Sequence, residues 1–431
     1  MRRVTCLLLV AVLVGSLFGA SGCRKQAVGP PTIKIGIAGP MAFIQGEHHW
    51  AGATMAMEEI NAAGGVQVGG EKWLIELVKI DTNEILSPED AATAVERAIT
   101  VDKVDFLIGG FRTEGVFPMT EVAMDHQKIF MIAGAATNEL LVGRVDTNYD
   151  RYKYLFRVTP IRSTDLAKIC FEMLGYTGAI LRQVLGAQRL RVAILAEQLQ
   201  WNEALIAGAQ QMLPALLGMD VVGVWRPSAT ATDVTAELTA IKAAGAHIIF
   251  QINSGPVGIT CARQWGELEI PAVMQGINVE AQKLGFWQAT RGYGNYETTL
   301  NTYGRVSINE TTMPFYNAFV ERFGEAPAYT AGAHQAIEIL VAAIERAGTL
   351  DSDAVVAELE KTDVIGPTGR LVFDALHDVT WGPAHVTGIV TQWQDGEMVV
   401  VWPFPGWQGL NYEGIKPYAI PPRVIQYWMS R

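Results

Sequence analysis

Short runs of apolar and β-branched residues alternate with helix-like segments along most of this chain, and this alternation constrains the fold more than any other feature. The first run, 33–37, precedes a segment in which Trp50, Ala53, Met57 and Ile60 keep the spacing of one helix face. Strand and helix signals that alternate over short connections are typical of parallel sheets covered by helices. Further strands are predicted at 74–80, 104–108, 128–132, 191–195, 220–225 and 247–251, and further helices from about 164, 202 and 234 and through 261.

The predicted strands are too many for one ordinary open sheet. Their series divides at the irregular stretch 146–163, and 431 residues are enough for two domains. We therefore predict an α/β protein made of two doubly wound lobes with a ligand cleft between them. In open α/β sheets, ligands bind beyond the carboxyl ends of the strands. The loops expected to form a site are 38–49, 109–114, 133–139, 196–201, 253–257 and 275–280.

The N-terminus has the pattern of an export signal. Arg2 and Arg3 precede the apolar run 6–18, and small residues follow up to Cys23. The run is shorter than the ~20 residues of a membrane-spanning helix, so we predict a signal peptide over 1–22. The small residues resemble a bacterial lipobox, which predicts a lipidated Cys23, a tether over 23–31, and an exported protein anchored in the periplasm or at the cell surface. Ordinary signal-peptidase cleavage nearby is the alternative, because Ala20 stands where a lipobox usually has leucine.

The charge and the cysteines exclude several classes of function. The formal net charge is −11, which argues against nucleic acids and anionic membrane surfaces because both need a basic face. Membrane contact is therefore expected only through the lipid anchor. Cys170 and Cys261 lie in helix-like segments without CxxC spacing, so neither a zinc site nor a redox motif is indicated. A disulfide between them and two buried free thiols are both compatible with the sequence.

No standard catalytic motif is present in the sequence. Residues 47–49 lack HExxH spacing, no GxxxxGK[ST] occurs, and Ser254 is not in a nucleophile elbow. We therefore expect no enzyme, cofactor or metal. The loops instead offer neutral donors: the Thr113 hydroxyl and the first amides of the helix after it could hold a carboxylate or carbonyl oxygen. Thr137 offers the same combination after the next strand, and helix capping is the alternative for both threonines.

Many segments resemble the branched-chain (Leu/Ile/Val) amino-acid binding proteins of ABC transporters. They are TIKIGIAGP (32–40), AGA (51–53), EEINAAGGV (58–66), DFLIG (105–109), AATN (135–138), FRVTP (156–160), AIERAG (343–348), GPTGR (366–370), QWQDG (392–396) and VVVWP (399–403). The resemblance implies a type I periplasmic binding protein, in which two lobes are joined by crossovers near Arg157, Ser307 and Gly366. Lobe one would contain 32–157 and 308–365, and lobe two 158–306 and 366–431.

The resemblance also implies where a ligand binds. It assigns the ligand carboxylate to Thr113 and to the segment Ala135, Ala136 and Thr137. It also implies that the Trp201 ring closes over the ligand from lobe two, and packing at the start of a helix is the alternative for Trp201. Further candidate ligand-binding residues are Gln45, Phe111, Arg112, Asn253 and Asn278. Arg112 is either an additional anchor for an acid or a solvent-facing side chain, and His48, His49 and Trp50 lie in the same loop region as Gln45.

The sequence departs from the family pattern at two places, and the first departure bears on the ligand. The loop that supplies an acidic partner for a ligand ammonium aligns with 275–278, which contains no carboxylate; Glu280 is two residues further on. A buried ammonium without a counter-charge is costly. His334 and Gln335 stand where relatives often have Tyr-Asp, on a helix expected to lie away from the cleft.

The predicted function is the solute-binding component of an ABC importer. The protein would capture a small organic ligand, either an amino acid or a related amide or carboxylic acid, by hinge closure. It would then deliver that ligand, as a monomer, to permease and ATPase subunits. One alternative is a carrier for a more apolar ligand such as an aromatic acid, a lipid or a sterol-like molecule. The other is a ligand-sensing receptor domain.

Overall fold

The computed structural model describes residues 29–431. The predicted signal peptide 1–22, Cys23 and most of the predicted tether lie outside the described residues. Within residues 29–431, no helix is both long and apolar enough to cross a membrane.

Residues 32–157 build a six-stranded sheet in the order β2-β3-β1-β4-β5-β6. Its strands are parallel except for β2, which pairs antiparallel with β3. All four residues of β4 are buried, as expected for a parallel strand covered on both faces. The elements are β1 (Thr32–Gly39), α1 (Ile44–Ala62), β2 (Val66–Val68), β3 (Glu71–Asp81), α2 (Asp90–Thr100), β4 (Phe106–Gly109), α3 (Thr113–Asp125), β5 (Phe130–Ile132), α4 (Tyr149–Tyr152) and β6 (Leu155–Arg157).

A second, seven-stranded sheet follows in the order β15-β14-β11-β10-β9-β7-β8. Strands β7 to β11 are parallel, whereas β14 and β15 extend one edge antiparallel. Its first elements are α5 (Ser163–Leu185), β7 (Leu190–Ala196), α6 (Glu203–Leu217), β8 (Met219–Trp225), α7 (Thr235–Ala243), β9 (Ile248–Asn253), α8 (Val257–Glu267), β10 (Val273–Asn278), α9 (Phe286–Ala289) and β11 (Thr298–Asn301).

After β11 the chain returns to the first sheet and then crosses back. Helix α11 packs on α1, and α12 packs on α11. The remaining elements are α10 (Thr312–Phe323), α11 (Ala333–Ala347), α12 (Ser352–Leu359), β12 (Asp363–Gly366), β13 (Gly369–Val372), β14 (Ile389–Gln394), β15 (Glu397–Trp402) and α13 (Pro422–Met429). The chain therefore passes between the two sheets three times, near 157–163, 301–312 and 359–389.

The prediction of an α/β fold with two sheets is confirmed, with some local differences. Helix α1 starts at Ile44 rather than near Trp50. The antiparallel strands β12 to β15 were not predicted as strands. Cys170 and Cys261 are separate, buried free thiols, so the disulfide alternative does not apply. Burial raises the pKa of the Cys170 thiol to about 12.

Candidate ligand-binding site

A cavity lies between the two sheets, bounded by loops at the carboxyl ends of their strands. The space open to the centre of a water-sized molecule is about 80 Å³. One water needs roughly 10–15 Å³ by this measure, so the cavity has room for a small organic molecule. The strand-end part of its wall consists of Phe111, Arg112, Thr113, Gly134, Ala136, Trp201, Ser254, Ile277 and Val279. Tyr329, in the short turn before α11, also lines the cavity.

The rest of the wall comes mainly from the three connections between the sheets. The first connection supplies residues 158–161, the second supplies 300–303 and the third supplies residues 368, 386 and 388. Leu166, Gln282, Gly332 and Gln335 complete this part. The cavity therefore extends from the strand ends to the segments about which two lobes would move.

Three polar contacts join the halves of the protein across the cavity. The Gln45 amide nitrogen, from α1, donates to the Ser254 carbonyl at 2.8 Å. The Gln200 backbone N–H donates to the Glu114 carboxylate at 3.1 Å, and the Tyr329 N–H donates to the Gln282 side-chain oxygen at 3.2 Å. These bonds hold loops of the two sheets against each other, so the structure is in a closed arrangement.

Thr113 is the first residue of α3 and faces the cavity. Its side chain is 3% exposed, and its hydroxyl has no hydrogen-bond partner among residues 29–431. The first amides of a helix also lack intrahelical acceptors, and the helix dipole favours negative charge there. The Thr113 hydroxyl and the start of α3 can together accept a carboxylate.

A buried carboxylate fixes the loop that presents Thr113. Glu84, which follows β3, accepts the N–H of Phe111 at 3.2 Å and the N–H of Arg112 at 2.7 Å. It also accepts the Thr82 hydroxyl at 2.9 Å. Burial raises the pKa of Glu84 to about 7, although these hydrogen bonds oppose the shift.

Arg112 lines the cavity, but its guanidinium is already engaged. It pairs with Glu114 at 3.1 Å and donates to the Ile85 carbonyl at 3.0 Å. These bonds direct the charge along the wall rather than into the cavity. Of the two alternatives for Arg112, the solvent-facing side chain does not describe this position, and the additional anchor for an acid stays a prediction.

Trp201 lines the cavity from the second sheet and is held by another buried carboxylate. Glu197, directly after β7, accepts the Trp201 indole N–H at 2.9 Å. It also accepts the backbone N–H groups of Ser254 at 2.6 Å and Gly255 at 2.8 Å. Burial raises the pKa of Glu197 despite these bonds. One side chain thus positions both the ring and the loop after β9.

The predicted anchoring segment 135–137 contributes only Ala136 to the cavity wall. The carbonyl oxygens of Ala135 and Thr137 accept hydrogen bonds from the buried Arg157 guanidinium at 3.1 and 2.8 Å. The Thr137 hydroxyl donates to Glu139. Ala135 and Thr137 therefore do not line this cavity, because the segment is turned toward the first crossover.

Asn253 and Asn278 are also turned away from the cavity. They are register partners at the ends of β9 and β10, and their side chains are fully buried. The Asn278 amide donates to Glu297 at 3.2 Å, and the Gln251 amide donates to the same carboxylate. Side chains alternate along a strand, so the neighbouring Ile277 and Val279 line the cavity instead.

Gln45 does not line the cavity, because its amide spans the gap to Ser254. His48 and His49 are buried beside it and bond to the backbone at Ala328 and Ala133. The prediction that Gln45 contacts the ligand directly is therefore corrected to a contact between the two halves.

Sequence reasoning missed several wall residues, above all Gln335 in the first turn of α11. This helix was expected to lie away from the cleft, yet Gln335 lines the cavity. Its neighbour His334 is buried between Glu59 at 3.0 Å and Glu338 at 3.4 Å. Burial disfavours the charged His334 ring, but the two carboxylates outweigh burial and raise its pKa to about 9. Tyr329 and Gln282 were missed as well.

The charge of the wall limits the ligands that fit. Among the described residues, no Asp or Glu side chain lines the cavity. Glu280, the remaining candidate partner for an ammonium, is buried and paired with Lys283 at 2.9 Å. The described wall therefore combines apolar and aromatic surface with neutral hydrogen-bonding groups and one cationic side chain, Arg112, and it offers no carboxylate to a ligand.

Comparisons with known proteins agree with this geometry. The family model described as "Periplasmic binding protein" matches residues 32–397. An amino acid binding protein of Pseudomonas aeruginosa is 27% identical over 401 residues, covering 90% of this chain and 96% of that protein.

Two solved structures share the fold. One is the branched-chain amino acid transporter substrate-binding protein LivJ of Streptococcus pneumoniae in complex with isoleucine. Its TM-score is 0.69 and its sequence identity 22%, and the match covers 86% of this chain and 100% of that chain. The other is a solute-binding protein of an ABC transporter from R. palustris in complex with benzoate, with a TM-score of 0.68 and 17% identity, covering 86% and 95%. The resemblance seen in the sequence is confirmed, and the chain belongs to the periplasmic binding protein family.

Proposed function

We propose that this protein is the solute-binding component of an ABC importer and that it captures a small monocarboxylic acid with an apolar, aromatic-sized body. The observation that carries the proposal is the buried Thr113 hydroxyl at the start of α3, which faces a closed cavity and has no partner among the described residues. Such a hydroxyl at a helix N-terminus suits the carboxylate of a ligand.

The body of the ligand would pack on rings and aliphatic side chains. Phe111, Trp201, Ile277, Val279 and Tyr329 line the same cavity as Thr113. Burying apolar surface contributes about 25 cal/mol per Å², so these walls favour a ligand with an apolar body. The volume of about 80 Å³ favours a small acid over a lipid or sterol-like molecule.

No carboxylate on the described cavity wall can pair with the ammonium group of a free amino acid, and this argues against an amino acid as the ligand. An α-ammonium group in the closed cavity would meet no carboxylate partner, because no Asp or Glu lines the described wall and because Glu84 and Glu197 are occupied by backbone N–H groups. A buried, unpaired ammonium is strongly disfavoured. The proposal therefore prefers a benzoate-like or branched aliphatic acid to leucine, although relatives of both kinds share the fold.

Capture would proceed by hinge closure without making or breaking a covalent bond. We assign lobe one to 32–157 and 308–365, and lobe two to 158–306 and 366–431. The first sheet with α11 supports the first assignment, and the second sheet supports the other. The ligand would stabilise the closed state by touching both lobes, and permease and ATPase subunits would recognise that state. Export and a lipid anchor at Cys23 complete the proposal.

The test is a thermal-shift panel with benzoate, isovalerate, benzamide and leucine, together with mass spectrometry of any compound that co-purifies. A ligand at 100 times its Kd raises the free energy of unfolding by about 2.7 kcal/mol. We expect the acids to raise the Tm and leucine to leave it nearly unchanged. Stabilisation by leucine alone would contradict the proposed ligand class.

A further inference from the structure

We infer that the Tyr303 hydroxyl binds the ligand at a second point, and that the ligand is a hydroxy acid, with a hydroxyl group on its body besides its carboxylate. This inference rests on the proposed function, because it takes Thr113 as the site of the carboxylate. It deepens that function by naming a second polar group on the ligand and the residue that recognises it.

Tyr303 belongs to the second connection between the sheets and lines the cavity. Its ring packs against Phe315 of α10, with the ring centroids 5.1 Å apart, and the residue is 2% exposed. The ring therefore holds the hydroxyl group in a fixed position. Burial raises the pKa of this hydroxyl well above its usual range, so the group is protonated and able to donate a hydrogen bond.

The Tyr303 hydroxyl oxygen lies beside two other residues of the cavity wall. A Cβ atom on Gly332 would be 3.3 Å from this oxygen and 2.4 Å from the Thr159 methyl carbon, and both Gly332 and Thr159 line the cavity. The oxygen has no hydrogen-bond partner among residues 29–431, and it is not one of the unpaired polar atoms that the surrounding protein encloses. A molecule in the cavity can therefore reach it.

The other hydroxyl groups of the wall have partners or meet solvent. Thr302 is partly exposed, so solvent can pair with its hydroxyl. Thr113 and Tyr303 are the buried residues of the described wall whose hydroxyls have no partner. A buried hydroxyl without a partner is costly, so a ligand group that pairs with Tyr303 would relieve that cost. The hydroxyls already paired within residues 29–431 are those of Thr159 with the Tyr329 carbonyl, Ser254 with Glu197, Tyr329 with the Gly134 carbonyl, and Thr368 with Gln335.

A hydroxyl group on the ligand matches the Tyr303 hydroxyl in both of its roles, because each can donate one hydrogen bond and accept others. Thr113 starts α3 beyond the strand ends, whereas Tyr303 lies on a connection between the sheets. The carboxylate and the hydroxyl would therefore bind different parts of the wall. The connections otherwise add mainly apolar side chains to the wall, among them Val158, Ile161, Leu300 and Val386.

The test compares acids in which a hydroxyl group is replaced by a methyl group of similar size. One pair is 4-hydroxybenzoate and 4-methylbenzoate, and the other is 3-hydroxybenzoate and 3-methylbenzoate. Sites built to hydrogen-bond a hydroxyl reject analogues that lack it, so calorimetric titration of the wild-type protein should show at least about fivefold tighter binding of the hydroxy acid in one of the two pairs.

Two variants assign this preference to Tyr303. Tyr303→Phe removes the hydroxyl but keeps the ring against Phe315, so it should bind the two acids of that pair equally, with the affinity for the methyl analogue not reduced. Tyr316→Phe makes the same change at a buried tyrosine of α10 that does not line the cavity, and it should keep the wild-type preference. The wild-type comparison stands by itself if Tyr303→Phe does not fold.

The outcomes separate this inference from the proposed function. Equal binding within both pairs by the wild-type protein, an unchanged preference in Tyr303→Phe, or an equal loss of preference in Tyr316→Phe would overturn the role of Tyr303 and leave the proposed function intact. Absence of binding for all four acids and for benzoate and isovalerate would overturn the proposed function, and the inference with it.

Discussion

The indole nitrogen of Trp201 lies 2.9 Å from a carboxylate oxygen of Glu197, and the same fully buried carboxylate accepts the N–H groups of Ser254 and Gly255. Glu197 therefore holds both the Trp201 ring on the cavity wall and the loop whose Ser254 carbonyl accepts the hydrogen bond from Gln45. These bonds come from within the second half of the protein and do not involve a ligand, so binding would need little further ordering of this part of the wall.

Replacing Trp201 tests the contribution of that ring. Trp201→Ala should weaken benzoate binding more than tenfold, a step of about 1.4 kcal/mol, because it removes a large apolar surface from the wall. Trp201→Phe keeps a ring but loses the bond to Glu197, so its loss should be smaller. Calorimetry measures both. Tyr293→Ala, an exposed aromatic residue, is the control, and an equal loss there would contradict the role of Trp201.

The Thr113 hydroxyl should account for much of the affinity for a carboxylate. Thr113→Ala is expected to weaken benzoate binding more than tenfold, whereas Thr113→Ser should retain most of it. The matched control is Thr137→Ala, since the Thr137 hydroxyl donates to Glu139 and does not line the cavity. Calorimetry that shows Thr113→Ala unchanged, or Thr137→Ala equally impaired, would refute the assignment of the carboxylate to Thr113.

The contact between Gln45 and Ser254 should favour the closed state. One hydrogen bond contributes about 0.5–1.5 kcal/mol, so Gln45→Ala should weaken benzoate binding about two- to tenfold, mainly through faster dissociation. Stopped-flow kinetics and small-angle scattering of the ligand-bound protein measure these effects. If Gln45→Ala released benzoate at the wild-type rate, this bond would not contribute to closure.

Glu297 predicts a pH dependence of stability. Burial raises its pKa from 4.5 to about 8, against the opposing hydrogen bonds from Asn278 and Gln251. The folded state thus holds this proton more tightly than the unfolded state, so the free energy of unfolding should fall as the pH rises from about 4.5 to about 8. Glu297→Gln removes the ionisation while keeping the shape of the side chain.

Thermal denaturation at pH 5 and pH 9 measures this effect. The quantity to compare is the free energy of unfolding of Glu297→Gln minus that of wild type. This difference should rise by more than ~1.4 kcal/mol from pH 5 to pH 9, a gain equivalent to one pKa unit. The same substitution at Glu172, an exposed residue of α5, should show no such gain. Parallel curves for wild type and Glu297→Gln would indicate that Glu297 is not a buried neutral acid.

The fold could be predicted where apolar runs are continuous. The parallel strands β4 and β9 are buried along their whole length and are conspicuous in the sequence. The antiparallel pair β14 and β15 was missed, although Asp395 and Gly396 join the two strands with positive φ angles of 50° and 93°. Asp-Gly between two apolar runs is a hairpin signal.

The site could be predicted only to the level of its loops. Phe111, Thr113 and Trp201 line the cavity, but Asn253 and Asn278 come from equally plausible loops and point the other way. Side-chain direction at the end of a strand depends on register, which the sequence does not state. Gln335 was missed because it reaches the wall only through the packing of α11. Whether these residues bind ligand stays a prediction.

The most direct measurement is a calorimetric titration of the wild-type protein with benzoate and, separately, with leucine. A closed cavity with no acidic side chain on its described wall and a carboxylate anchor at Thr113 predicts that benzoate binds with a Kd in the micromolar range or lower, and that leucine binds at least tenfold more weakly. Tight binding of leucine, with no heat of binding for benzoate, would contradict this account of the cavity and restore an amino acid as the ligand.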